Sequence, residues 1–332
     1  PRSTLFPYTT LFRSGLWSRL IETFLSVHIA KTSTVSVAID RTGWGHYNLL
    51  MVSLIWRKRA IPVAWIRLDK LGSTNHDEQT TVLSNALSYL ADYTVVVLGD
   101  REFCSVDLAR WLGEQNAYFC LRLKASTLIQ TTDDSWCSLS ALGLTPGTQV
   151  FFNQVSVTKT KGFGEGRVVG KWKRRYRGFA PDEPWFILTN LNSLDEAIKS
   201  YQKRFSIEQM FRDWKSGGYC LESCRLEGKR FMTMVLLVAI AYLCATTQGQ
   251  RLKHKALQHY IARPESIQGT HKRHSAFHIG LAAHRWIPFW FSCQQHVQTL
   301  MMLNRNKIAD YLRGFSTLEI KFSAISESLA CL

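Results

Sequence analysis

The stretch Tyr201–Lys215, YQKRFSIEQMFRDWK, places Tyr201, Arg204, Glu208 and Lys215 at offsets of 0, +3, +7 and +14. At about 100° per residue these positions fall within roughly 60° of one another on an α-helix. One helical stripe thus carries a phenol, a guanidinium, a carboxylate and an ammonium. A solvated face with chance i,i+4 ion pairs would give a similar pattern. A lone acid among bases also suits a metal ion held against a polyanion, and two acids elsewhere in the chain favour that reading.

Residues Thr34–Asp40, TVSVAID, and Thr94–Asp100, TVVVLGD, are apolar, β-branched runs that each end on an aspartate. Continuous runs of this kind predict strands buried on both faces. An acid just past such a strand lies at the sheet edge, where α/β proteins commonly build their sites. A single strand-end Asp is as readily a turn former or a helix N-cap. Two of them, followed by the Glu208 stripe, form a three-carboxylate constellation that only the fold can unite.

The surrounding segments carry a resemblance. IDRTGW at Ile39–Trp44 and GDREF at Gly99–Phe103 resemble the two aspartate boxes of the bacterial DDE transposases of the insertion-sequence-four group. AIPVAWIRLDKLGSTNHDEQ between them is similar to that family's hairpin and loop, and SGGYCLESCRL after Lys215 to the segment behind its glutamate helix. The spacing Y-x2-R-x3-E-x6-K resembles the glutamate helix itself. The resemblance covers roughly residues 33–330. It implies an α/β fold: an RNase H-like mixed sheet flanked by helices, with a β-rich insertion before the catalytic glutamate helix and a helical C-terminal region.

The order of elements along the chain agrees. A helix is expected over 15–31, then strands over 34–40, 47–56 and 61–68, the last two joined by the basic turn Arg57-Lys58-Arg59. An amphipathic helix over 76–93 carries Val82, Leu83, Ala86, Leu87 and Leu90 on one stripe. Strand 94–100, helix 105–115 and strand 117–124 follow. The insertion, 125–184, is rich in Thr, Val, Phe, Gly and Trp, and its stretch Lys159–Arg177 is basic with interleaved aromatics. That composition suits backbone phosphates and base stacking, or else a solvated hairpin. A strand over 185–189 returns to the core and the glutamate helix starts near Leu194. Beyond Arg225 the chain reads as helical, with a buried helix around Met232–Ala245 and another over 294–314. His271, His274, His278 and His284 lie between them, facing DNA or plain solvent. The divisions are 1–14, 15–33, 34–124, 125–184, 185–225 and 226–332.

Pro1–Ser14, PRSTLFPYTTLFRS, back-translates codon for codon into a widely used short-read sequencing adapter. It reads as a non-native segment with no part in the fold. Residues 15–33 then read as the remnant of a helical N-terminal DNA-recognition region, truncated, with Leu16, Leu20, Phe24 and Leu25 left bare.

The chain of 332 residues holds 41 Lys plus Arg against 25 Asp plus Glu, a formal charge of +16. Such an excess favours a polyanionic partner, nucleic acid before an acidic membrane surface. With 11 Trp and 18 Phe there is material for a core and for stacking on bases. The eight cysteines are scattered and read as reduced, buried thiols without zinc spacing. The apolar run Met232–Ala245 is shorter than a bilayer span, and no signal peptide is visible, so a bacterial cytoplasmic, nucleoid-associated protein without membrane contact is expected.

The resemblance further implies roles. Asp40, Asp100 and Glu208 would be catalytic and would hold two Mg²⁺ ions, with Mn²⁺ a possible substitute and Asp40 as the bridging ligand. Tyr201, Arg204 and Lys215 would contact transposon-end phosphates. Arg41 and Arg101, each next to a catalytic Asp, would reach DNA or pair with nearby acids. Lys171, Trp172, Lys173, Arg174 and Arg175 would line the DNA from the insertion. An aromatic of the insertion, with Trp136, Trp172 and Trp185 as candidates, would hold a flipped base. The partners would be transposon ends, target DNA and a second copy in a homodimer. Cut-and-paste DNA cleavage and strand transfer is the expected activity. The alternatives are a non-catalytic DNA-binding remnant and an RNase H-like nuclease without strand transfer.

Overall fold

The hydrophobic runs pair into one continuous ladder. In a computed structural model that describes residues 8–130, 134–159, 162–174, 176–177, 182–258, 274–314 and 316, β1 (Thr34–Trp44), β2 (Tyr47–Trp56) and β3 (Arg59–Arg67) form an antiparallel meander. Strands β4 (Thr94–Gly99) and β5 (Tyr118–Arg122) add to β1 in parallel, giving the order β3-β2-β1-β4-β5. That order, with helices α2 (His76–Tyr89) and α3 (Val106–Glu114) before β4 and β5, is the RNase H-like arrangement expected. Nearly every residue of β2 is buried although its side chains alternate between faces, so both faces of the sheet are covered. Helices α2 and α5 (Phe205–Lys215) pack against β2 and β3, while α3 and α4 (Leu194–Gln202) pack against β5.

The insertion extends this sheet. It supplies β6 (Leu128–Gln130), β7 (Trp136–Ser138), β8 (Gln149–Val157) and β9 (Phe163–Lys171). Strand β10 (Trp185–Thr189) then pairs antiparallel with β5 on one side and β9 on the other. Ten strands of the described residues thus share one ladder. The Asn190 side chain fixes the end of β10 to the start of β5, accepting from Phe119 N at 2.9 Å and donating to Ala117 O at 3.0 Å.

Local chemistry explains the boundaries and corrects several expectations. Asn75 caps α2, its side chain accepting from Glu78 N while the Glu78 carboxylate takes Asn75 N, a reciprocal capping box. The β2–β3 turn consists of Arg57 and Lys58 alone, at φ 46° and 67°. Arg59, expected in that turn, is instead buried in β3. Helix α1 (Tyr8–His28) begins ahead of Gly15 and docks on the hairpin. Its Trp17 donates to Val63 O at 2.9 Å, and Phe24 packs edge-on against Trp56 at 5.1 Å. Trp17, Ile21, Phe24 and Leu25 are buried, so the bare apolar face expected here is covered; Leu16 alone of that set is well exposed.

Residues Pro1–Cys244 and Ala245–Leu332 form two compact units. Helix α6 (Gly228–His254) is far longer than its apolar run and is long and apolar enough to cross a membrane by length and composition; half of its apolar window is buried within the protein. In the second unit α6 meets α7 (Ala276–Met302) where Gly249 and Gly280 let the two backbones touch; a Cβ on either would collide with Ala276 or Ala245. Leu252, Ile279 and Ala283 fill that crossing. Helix α7 starts at its Ser275 cap, well before the expected residue 294, and takes in His278. Of the six described cysteines only Cys120 is buried, against the expectation of buried thiols. Arg175, His271, Cys331 and the side chains of His284 and Cys293 lie outside the described residues.

Candidate active site

Strand β1 carries Asp40 past its buried half and continues to Trp44 instead of ending at the acid. The Asp40 Oδ1 accepts from Arg41 N at 2.8 Å. In the adjacent parallel strand the last registered pair is Ile39 with Gly99, so Asp40, still in β1, and Asp100, just past β4, follow the same level of neighbouring strands. Asp100 caps a short 3-10 turn, Arg101–Phe103, by accepting from Glu102 N at 2.9 Å. Gly99 is required before it. A Cβ there would stand 2.8 Å from Phe103 Cβ and 2.9 Å from Leu121 Cδ2.

The stripe Tyr201–Lys215 is not one uninterrupted α-helix. Helix α4 ends at Gln202 and α5 begins at Phe205. Between them Lys203 N bonds Ser200 O, Arg204 N bonds Tyr201 O, Ser206 N bonds Lys203 O and Ile207 N bonds Arg204 O. These i→i−3 bonds tighten the backbone over one turn while it stays right-handed. The constriction directs Arg204 at the acids: its Nη1 lies 3.2 Å from Asp40 Oδ2 and its Nη2 pairs with Glu208 Oε1. Arg204 and Asp40 are largely buried, whereas the Glu208 side chain is 40% exposed.

Asp40 has its pKa pushed up to about 7. Burial is the main cause, Arg204 opposes it, and the charges of Asp100 and Glu208 add to it. Burial also works against the charge on Arg204, but Tyr201, Asp40 and Glu208 outweigh it and keep the guanidinium protonated. Among the described residues no three acidic, His or Cys side chains close into a ready metal cage, and Arg204 is interposed between Asp40 and Glu208. The donor set nevertheless fits a hard divalent cation: all three groups are carboxylates, and together they bear more negative charge than one guanidinium balances.

Tyr201 is buried, 4% exposed, and packs edge-on against Trp185 at 5.2 Å with Arg204 over its ring. Burial raises the pKa of its phenol. As placed, it lies against Arg204 and is closed off from solvent. Lys215 donates to Gly43 O at 2.9 Å, lies 3.6 Å from Glu222 and sits over the Trp44 ring. It borders a cleft of about 530 Å³ that Arg41, Trp44 and Asn48 also line.

Both arginines beside the aspartates pair with acids. Arg41 Nε binds both oxygens of Glu102, at 3.0 and 3.1 Å, and its Nη1 donates to Asn48 Oδ1 at 3.2 Å. Arg101 pairs with Glu183, which also accepts from Arg122 at 2.7 Å. Glu102 further accepts from Thr74 N and Oγ1, and Asn48 donates to Lys70 O. Glu102 and Asn48 therefore fasten the β3–α2 loop and the Asp100 turn to β1. Sequence reasoning missed both; for Glu102 the available signal was a second acid inside GDREF, next to Arg101.

In the insertion, Lys171 ends β9, Trp172 N bonds Thr148 O, and Lys173 lies 4.2 Å from the centre of the Trp185 ring. Arg174 is exposed. Trp185 connects to the acids through Tyr201 and Arg204, while Trp136 lies in the edge strand β7.

The cryo-EM structure of a piggyBac transposase synaptic complex with hairpin DNA is 10% identical, with a TM-score of 0.43; the match covers 84% of this chain and 57% of that one. The Marinitoga piezophila Argonaute in complex with 5′ OH guide RNA is also 10% identical, with a TM-score of 0.25, over 55% of this chain and 26% of that one. Comparison with curated proteins gives no match. The profile of the Transposase DDE domain matches residues 41–244, starting one residue past Asp40 and including Asp100 and Glu208. With well over half its length matched, the chain belongs to the Transposase DDE domain family.

Proposed function

We propose that this protein is a DNA transposase of the insertion-sequence-four group that cuts transposon ends and joins them to target DNA. The observation that supports this reading is the gathering of Asp40 and Glu208 on Arg204, with Asp100 close enough to Asp40 to raise its pKa. Two Mg²⁺ ions, or Mn²⁺ in their place, would activate the attacking oxygen and stabilise charge on the leaving oxygen. Asp40, which feels the charge of both other acids, would hold the ions together with Asp100 and Glu208. Arg204 balances the acids in their absence and can turn its planar fork to a phosphate. Lys215 and the cleft beside it suit the backbone of a transposon end. Pairing two ends would take two copies of the chain.

The test is cleavage of a duplex carrying the element's ends, with Mg²⁺ present. Asp100→Asn should lower cleavage by roughly a thousandfold or more, equivalent to several kcal/mol, while DNA binding stays the same or tightens. Wild-type cleavage by a folded Asp100→Asn variant would overturn the assignment. Cleavage without joined products would favour a nuclease lacking strand transfer.

A further inference from the structure

The constriction that aims Arg204 at the acids sends its neighbour the other way. Lys203 Nζ donates to Ser36 Oγ at 3.2 Å, near the start of β1. There a cleft of about 740 Å³ opens between the beginning of β1, the β2–β3 turn and the α4–α5 junction. Arg57, Lys58, Lys199 and Lys203 line it, all exposed, and no Asp or Glu does. Phe205 lies at the same cleft and is 51% exposed, an aromatic face turned to solvent.

We propose that this cleft is a second binding site for a DNA phosphodiester backbone, separate from the carboxylate site. The proposal rests on the reading of the chain as a DNA-acting enzyme and adds a contact surface to it. Four cations without a lining acid make a local positive potential that attracts a polyanion. Small anions would be held by two or three of them, but four spread over three elements match a repeating backbone charge. Ser36 precedes Asp40 by four residues on β1, which at about 3.3 Å per residue sets the cleft roughly 13 Å from the acids. A DNA strand rises about 3.4 Å per nucleotide, so this is on the order of four nucleotides along one strand. The exposed Phe205 ring offers a stacking face where the strand is unpaired.

The experiment measures affinity of the full chain for random-sequence duplex and for single strands over a salt series. Lys58→Gln/Lys199→Gln/Lys203→Gln is compared with wild type, alongside Lys58→Gln/Lys199→Gln, which keeps the Lys203–Ser36 bond. The expected result is at least tenfold weaker binding. The log–log salt slope should also fall by about 0.9 per lost contact on duplex, or about 0.7 on single strands. A further loss with Phe205→Ala confined to single strands would identify the ligand as unpaired DNA; equal loss on both, or none, would remove Phe205 as a stacking face. Unchanged slopes in both variants, with wild type binding normally, would overturn the cleft and leave the catalytic reading intact. Absence of any DNA binding by wild type would overturn both.

Discussion

Arg204 spans Asp40 and Glu208, with one guanidinium nitrogen 3.2 Å from Asp40 Oδ2 and the other on Glu208 Oε1. A single cation thus offsets part of the charge of two carboxylates, but burial outweighs it and, with the neighbouring acids, leaves the Asp40 pKa raised to about 7.

The first prediction follows from that titration. The unfolded Asp has a pKa of about 4, so between about pH 4 and pH 7 the folded protein keeps a proton that the unfolded chain has lost. Folding stability contributed by this group therefore falls as pH rises through that window and levels off above it. In metal-free protein Asp40→Asn should be more stable than wild type at pH 8 and nearly equal to it at pH 4. At about 1.4 kcal/mol per pKa unit the gain at pH 8 is on the order of a few kcal/mol, an upper bound set by the partner left on Arg204. Thermal melts in chelator at the two pH values check this. The same shift at both would show that Asp40 does not carry the strain.

Glu102 gives a prediction about architecture. Its carboxylate accepts from Arg41 and from two donors of Thr74, so Glu102→Gln should leave the part-buried Arg41 without its counter-charge and set the amide nitrogen against a donor, at a cost of about 1–3 kcal/mol. Arg41→Ala should lower stability similarly and leave the salt dependence of DNA binding alone. A variant that melts like wild type but loses about 0.9 from the salt slope would instead make Arg41 a phosphate contact.

The buried pair of Arg59 and Asp213, joined by Tyr242 Oη at 3.1 Å from Arg59, ties β3 to α5 and α6. Asp213→Asn should cost about 3–5 kcal/mol because the guanidinium stays buried without its counter-charge. Urea unfolding reads this as a lower midpoint at unchanged slope. The double variant Arg59→Met/Asp213→Leu should recover most of the loss, and failure to do so would mean the pair is needed for more than neutrality.

In the insertion the neighbours Lys173 and Arg174 should behave differently. Burial lowers the pKa of Lys173 and its ammonium rests on Trp185, whereas Arg174 is open to solvent. Arg174→Gln should flatten the salt dependence of duplex binding by about 0.9, and Lys173→Gln by less, with a stability loss of about 0.5–1 kcal/mol from the lost ring contact. Equal slopes for the two variants would remove this distinction.

Local patterns were readable where they are self-contained. The apolar runs marked β1, β2 and β4, and the limits of β2 at Tyr47 and Trp56 were legible because Gly45 and the Arg57-Lys58 turn interrupt the run on either side. The convergence of Asp40 and Asp100 could be anticipated from two similar parallel strands ending on acids. The break between α4 and α5 could not: no Gly or Pro marks it, and the tightened turn accompanies the contact of Arg204 with an acid far away in sequence. Arg59 looked like part of a basic turn because its partner Asp213 is remote. Pairing of Arg41 and Arg101 with acids was one of two readings open in the sequence, and only the fold names Glu102 and Glu183 as the partners. The start of α7 was hidden because polar histidines mask the Ser275 cap. Union of the insertion with the core sheet depends on the non-local pairing of β10, which no periodicity reports.

That pairing has a mechanical consequence. Strand β10 is stitched along both edges, and only residues 190–193 separate it from α4, which leads through the tight turn at Arg204 to Glu208. Strands β8, β9 and β10 pair in series, with irregular register in β8 between Phe152 and Val157, and Asn190 clamps the exit of β10 to β5. A load placed on the outer strands of the insertion is therefore delivered to the base of the glutamate helix. The insertion is an outrigger joined to the frame that carries the third acid, and cutting it away would leave β10 with one open edge next to the chemistry.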